Sequence, residues 1–145
     1  MRNRNDKLDG RADLPMRRLL VAEDDPALRA MMVALLAAEG HDVVAVENGL
    51  DLLDTIEVSL VPELGTRHFD LVISDVRMRE MTGLRAFAQL GSRPSVPPVV
   101  FITAFGDEQL REEATRAGAL AVLDKPLDFD ELLTFVRDFF SRKLN

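Results

Sequence analysis

Two rhythms of apolar and polar residues alternate along the chain. Short, nearly unbroken apolar runs recur: "RLLVAE" (Arg18–Glu23), "DVVAVE" (Asp42–Glu47), "FDLVIS" (Phe69–Ser74), "VVFIT" (Val99–Thr103) and "LAVLD" (Leu120–Asp124). Runs of this length bounded by turn residues predict strands buried on both faces. Between them, apolar residues fall at helical spacing. Leu28, Met31, Met32, Leu35 and Leu36 predict a first helix, opened by Pro26 and closed by Gly40, with both methionines in the core and Asp25 as N-cap. Leu52, Leu53, Ile56 and Leu60 predict a second, after an Asn48-Gly49 turn. A third is expected over roughly residues 84–91, a fourth over Asp107–Ala117 before Gly118, and a fifth from Phe129 to about Phe140. "VPELGTRH" (Val61–His68) reads as a loop or an extension of the second helix, and "SRPSVPP" as a linker. Residues 1–16 read as a flexible polar arm, and residues 17–142 as one domain.

Strand followed by helix, five times over, implies a parallel sheet with helices on both faces, a three-layer doubly wound α/β fold. Ligands of such open sheets bind beyond the carboxyl ends of the strands. Here the first strand ends in Glu23-Asp24-Asp25, the third in Asp75, the fourth in Thr103-Ala104 and the fifth in Asp124-Lys125-Pro126. Three or four carboxylates, a hydroxyl and an ammonium are thus expected on one edge of the sheet.

Composition narrows the chemistry. A length of 145 residues suits a single core. A net charge of -7 argues against nucleic-acid binding, which needs a basic stripe. No cysteine and only two histidines leave no thiolate chemistry and no ordinary zinc site; His41 and His68 are expected in loops. No apolar run approaches a membrane span, and the charged N-terminus has no secretory core, so a cytoplasmic protein is expected.

Carboxylates packed together raise one another's pKa, and a hard divalent cation relieves the strain. Glu23, Asp24 and Asp75 contribute three negative charges, which a magnesium ion and Lys125 balance to zero. A carboxylate in such a setting can act as a nucleophile toward phosphorus. Lys125 and the metal would neutralise the transferring oxygens, and the Thr103 hydroxyl could donate to one of them.

The stretches "LLVAEDDPALR", "DLVISDVRM" with the glycine five residues on, "VVFITAFGD" and "AGALAVLDKPLD" closely resemble, in order and spacing, the receiver domain of bacterial two-component response regulators. The resemblance covers roughly residues 17–142. It implies the flavodoxin-like (CheY-like) fold with strand order 2-1-3-4-5. It implies Asp75 as phosphoacceptor, with Thr103 as switch hydroxyl and Lys125 pairing with the phosphoryl group. Mg2+ would be held by Asp24 and Asp75, by Glu23 mainly through water, and by the backbone carbonyl of Arg77. The Lys125–Pro126 bond resembles the family's cis peptide. The phosphoryl donor implied is a sensor histidine kinase or a histidine phosphotransfer protein, and the chain would signal without being an enzyme toward other substrates.

Three positions depart from the family pattern. Arg79 stands where proline is usual, and Val122, three before Lys125, where an aromatic ring is usual. The stretch from Asn48 to Asp75 is several residues longer than is common, which predicts a longer second helix or an exposed loop. Arg77 and Arg79 are expected to be solvated. Phe135 and Phe139 widen the apolar stripe of the last helix, which with the fourth helix could form a partner or homodimer surface. With the chain stopping after the fifth helix, a stand-alone receiver is expected, passing its signal to a downstream protein by contact or by onward phosphotransfer. One rival is a phosphohydrolase with an aspartyl nucleophile; such enzymes usually carry an acid two residues further on, where this chain has Arg77. A second rival is a degenerate receiver acting purely as a binding scaffold, which Arg79 and Val122 favour and the intact acidic set and lysine oppose.

Overall fold

The computed structural model describes residues 16–104 and 106–144; the arm expected over residues 1–16 lies outside them except for Met16, as does Phe105. The elements are β1 (Arg18–Ala22), α1 (Pro26–Ala38), β2 (Asp42–Val46), α2 (Gly49–Ser59), a 3-10 turn (Pro62–Leu64), β3 (Leu71–Asp75), α3 (Gly83–Leu90), β4 (Val99–Ala104), α4 (Glu108–Arg116), β5 (Ala121–Lys125) and α5 (Phe129–Leu144). Every strand pair is parallel, and the sheet order is β2-β1-β3-β4-β5, as the resemblance implied.

Alternation along the strands divides the core into two layers. Leu19 and Val21 of β1, Leu71 and Ile73 of β3, and Val100 and Ile102 of β4 pack with Met32 and Leu36 of α1 and Leu132, Val136 and Phe140 of α5. Leu20, Ala22, Val72 and Phe101 point the other way, onto Leu52 and Ile56 of α2, Ala86 and Leu90 of α3, and Ala114 of α4. Of the adjacent methionines expected in the core, only Met32 is there; Met31 is 48% exposed. A helix turns by about 100° per residue, and that turn carries Met31 off the face on which Met32 meets the sheet. From β1 the chain moves outward to β2 and then crosses back to β3 on the other side of β1, so the sheet's switch point falls between β1 and β3, at their carboxyl ends.

Several boundaries differ from expectation. β3 begins at Leu71 rather than Phe69, because Asp70 turns back to accept the Arg18 N–H at 2.8 Å and Phe69 lies under the Arg18 guanidinium, 4.4 Å from its ring centre. The strand also runs one residue further, through Asp75, which pairs with Ile102. The extra length before β3 is an exposed turn, with Val61 and Leu64 open to solvent. α5 continues to Leu144, and the ring of Phe140 on it meets His41, where burial lowers the imidazole pKa. Phe135 and Phe139 stack in parallel with centroids 6.3 Å apart and are half-buried against the α1–α5 core.

The Asn48-Gly49 pair opens α2 rather than forming a free turn. The Asn48 side chain caps the helix by accepting from the Asp51 N–H at 2.8 Å. Gly49 is buried against the loop after β3, and a Cβ built there would fall 1.8 Å from the Met81 carbonyl oxygen. Gly49→Ala is therefore expected to destabilise the chain by about 2–3 kcal/mol, since neither backbone can yield that far without disturbing the loop. Urea unfolding measures it; an unchanged midpoint would show that the loop moves aside freely.

Candidate functional site

The carboxyl ends of β1, β3, β4 and β5 bring together most of the residues that the sequence marked out. Glu23 follows β1 directly and is fully buried. Its N–H donates to the Val46 carbonyl at 3.1 Å, and its Oε2 accepts from the Asp25 N–H at 3.0 Å. Asp25 in turn caps α1, accepting from Ala27 and Leu28, which draws it out of the cluster. Asp75 closes β3 and is 5% exposed. Its Oδ1 accepts from the Arg77 N–H at 3.1 Å and its Oδ2 from Lys125 Nζ at 2.5 Å. Lys125 ends β5, just before the cis Lys125–Pro126 bond, and its ammonium is also 3.1 Å from Glu23 Oε1.

Carboxylate oxygens of Glu23, Asp24 and Asp75 lie within 4.8 Å of one another. The Lys125 ammonium lies against two of these acids, Glu23 and Asp75. Burial, reinforced by the charge of Asp75, pushes the Glu23 carboxyl up to about 7, although the Asp25 N–H and Lys125 favour its ionised form. Burial disfavours the charged form of Lys125, but the hydrogen bond and charge of Asp75, together with Glu23, outweigh it and raise the ammonium above its ordinary value.

Among the described residues, two buried side-chain oxygens have no hydrogen bond. Glu23 Oε1 is one, despite the nearby ammonium, and Thr103 Oγ1, 2% exposed on β4, is the other. Thr103 lies one register step beyond Ile102, the partner of Asp75. Buried polar atoms in folded proteins are nearly always paired. An all-oxygen, acid-rich cluster with spare acceptor capacity suits a hard divalent cation, and a spare hydroxyl beside it suits an incoming anion's oxygen.

Asp124 does not join the cluster. Its carboxylate is ion-paired to Arg111 of α4, whose other terminal nitrogen donates to the Val122 carbonyl at 3.0 Å. α4 is thereby pinned to β5 at the position where the family usually has a ring. Arg77, expected to be merely solvated, is exposed but paired with Asp107 at 3.3 Å. Arg79 is solvent-exposed through its side chain, while its carbonyl receives the Gly49 and Met81 N–H groups. Gly83, the glycine that follows the third-strand motif, was marked in the sequence without a packing role. A Cβ there would come 2.5 Å from the Asp75 carbonyl oxygen and 2.6 Å from Ser74 Oγ, so glycine lets α3 start against the end of β3. The Thr82 side chain, accepting from the Arg85 N–H, caps the helix there and was the available signal.

Among the described residues, no helix is long and apolar enough to cross a membrane. The response regulator receiver domain family model matches residues 19–137. The transcriptional regulatory protein GlrR of Escherichia coli (strain K12) is 36% identical over 120 residues, covering 83% of this chain and 25% of that protein. The chain therefore spans about a quarter of the length of the curated relatives it matches. A LuxR-family DNA-binding response regulator from Staphylococcus aureus is 28% identical with a TM-score of 0.72, covering 86% of this chain and 99% of that one. The receiver domain of the sensor histidine kinase PA1611 from Pseudomonas aeruginosa PAO1, solved with magnesium in its active site cleft, shares the fold at 22% identity, with a TM-score of 0.73 and coverage of 88% and 99%. Sheet order, the acid cluster at the switch point, its lysine and the match over residues 19–137 agree: the chain belongs to the response regulator receiver domain family.

Proposed function

We propose that this chain accepts a phosphoryl group on Asp75 from a phosphohistidine of a sensor kinase or a phosphotransfer protein. The carrying observation is the buried Asp75 carboxylate within 2.5 Å of Lys125 and grouped with Glu23 and Asp24. An Asp75 Oδ attacks phosphorus, the bond from phosphorus to the donor nitrogen breaks, and the electron pair leaves with the imidazole. With acetyl phosphate, the bond to the acyl oxygen breaks and acetate leaves. Lys125 offers its ammonium to the transferring oxygens, and the unpaired Thr103 hydroxyl donates to one of them. Glu23, Asp24, Asp75 and the Arg77 carbonyl are the proposed holders of Mg2+, which when bound supplies positive charge for the phosphoryl oxygens. A phosphohydrolase reading lacks its second acid, since position 77 is an arginine.

Incubation with acetyl phosphate and Mg2+ is expected to add one phosphoryl mass, and none with a chelator present. A folded chain that gains no mass would overturn the reading.

Output is proposed as a population shift in the surface around β4, α4 and β5, presented to a downstream protein or a second copy through α4 and α5. The curated relatives extend well beyond the matched segment, so the proposal concerns the receiver surface alone.

The titration of Glu23 sets a pH dependence. The metal takes the ionised carboxylate, so protonation competes with it. Apparent Mg2+ affinity should rise as pH rises from 5.5 toward about 7, the value to which the Glu23 carboxyl is pushed, and level off above it. Calorimetric titrations across that range test this. Glu23→Gln should flatten the profile; an equally steep profile in that variant would assign the proton elsewhere.

A further inference from the structure

We propose that the Arg77 guanidinium is an additional phosphoryl-binding group, held in reserve by Asp107 and released to the phosphoryl group when Asp75 is modified. The inference rests on the receiver reading above and concerns how that site is read by α4.

The backbone of Arg77 is anchored on the acceptor, since its N–H donates to Asp75 Oδ1 at 3.1 Å. Its side chain is 71% exposed and leads away, to Asp107 Oδ2 at 3.3 Å. The Asp107 carboxylate serves twice: its Oδ1 accepts from the Leu110 N–H at 3.3 Å and caps α4. The Asp107 N–H closes the turn after β4 by donating to the Ala104 carbonyl at 3.2 Å. One cation therefore ties the loop after β3 to the first turn of α4.

Charge decides where that cation goes. Lys125 and a bound divalent ion would together balance Glu23, Asp24 and Asp75. Phosphorylation replaces the single charge of Asp75 with close to two, leaving the site short of roughly one positive charge. Arg77 is two residues away and its planar donors match phosphoryl oxygens. The pair it would abandon is largely solvated and therefore weak. Loss of Arg77 leaves Asp107 with its capping role alone and unties α4 from the β3 loop. With valine at position 122, this electrostatic tie supplies a route from the acceptor to α4 that needs no rotating ring.

Beryllofluoride, formed from Be2+ and fluoride and added with Mg2+, serves as the probe of the phosphoryl site. Amide NMR is the readout, because the chain has no tryptophan or tyrosine. Asp107→Asn keeps a capping side chain but frees Arg77, and should tighten beryllofluoride binding about threefold, the scale of an exposed ion pair. Arg77→Gln should weaken it by a similar factor and abolish the response of the Leu110 amide. In the double variant the Asp107→Asn gain should vanish, which a purely structural role for either residue would not produce. Equal affinity in wild type and Asp107→Asn, or a gain that persists without Arg77, overturns the latch alone. Failure of the wild-type chain to take up beryllofluoride overturns the receiver reading and the latch together.

Discussion

Asp75→Asn is expected to abolish phosphoryl uptake, by about a thousandfold or more, while leaving the fold in place. In the wild type Oδ1 accepts from the Arg77 N–H at 3.1 Å and Oδ2 from Lys125 Nζ at 2.5 Å; the single amide oxygen of asparagine keeps one of these bonds, and removing one of three clustered negative charges offsets the loss of the other. What is lost is the charged nucleophile, and no neighbour can replace it. Glu23 is also buried, but its Oε2 is tied to the Asp25 N–H and its Oε1 faces the same ammonium from the β1 side. Asp24 is less buried and belongs to the connection into α1. Intact-mass measurement with acetyl phosphate and Mg2+ distinguishes the cases. A full mass gain in Asp75→Asn would move the acceptor to another residue and undo the assignment of roles. Glu23→Gln, by contrast, should slow uptake without removing it, because the nucleophile and its lysine remain.

Much of this arrangement was legible because the relevant signals are local. Four of the five strands are apolar runs that stop at a functional residue, so reading the run's end locates Glu23, Asp75, Thr103 and Lys125 before any contact is known. Parallel order then puts those ends on one edge. Asp25 as a cap was equally readable, since an acid before proline at a helix start has a local cause. What escaped were contacts between segments distant in sequence. Asp124 looks like a further site acid until Arg111, thirteen residues earlier on α4, claims it. Arg77 looks solvated until Asp107, thirty residues on, meets it. Gly49 read as part of a turn and Gly83 only as a motif glycine, yet each is required because another backbone passes too close for a Cβ. Such requirements arise from tertiary approach and leave no periodic trace.

Lys125→Met should have the second largest effect, and its pH dependence separates charge from packing. The substitution keeps an unbranched stem but removes the only ammonium that faces Glu23 and Asp75 among the described ion pairs. Two buried carboxylates then confront each other with Asp24 nearby. Breaking a fully buried pair costs about 3–5 kcal/mol. Lys125 is 31% exposed, so solvent screening reduces this to about 2–3 kcal/mol in metal-free solution near pH 8. Already in the wild type, burial and the charge of Asp75 raise the Glu23 carboxyl from its ordinary 4.5 to about 7. Between those values the folded chain binds more protons than the unfolded one, so this group's contribution to stability falls as pH rises. Without Lys125 the window extends upward, and the variant's deficit should be small near pH 5 and largest near pH 8. Mg2+ at saturating concentration should recover much of it by restoring the missing positive charge. Urea midpoints at both pH values, with and without Mg2+, provide the measurement. A deficit of the same size at every pH and indifferent to Mg2+ would mean that the lysine supports the site through its stem. The same variant should accept phosphoryl groups about a hundred- to a thousandfold more slowly even with Mg2+ present, because the ammonium aimed at the transferring oxygens has no substitute.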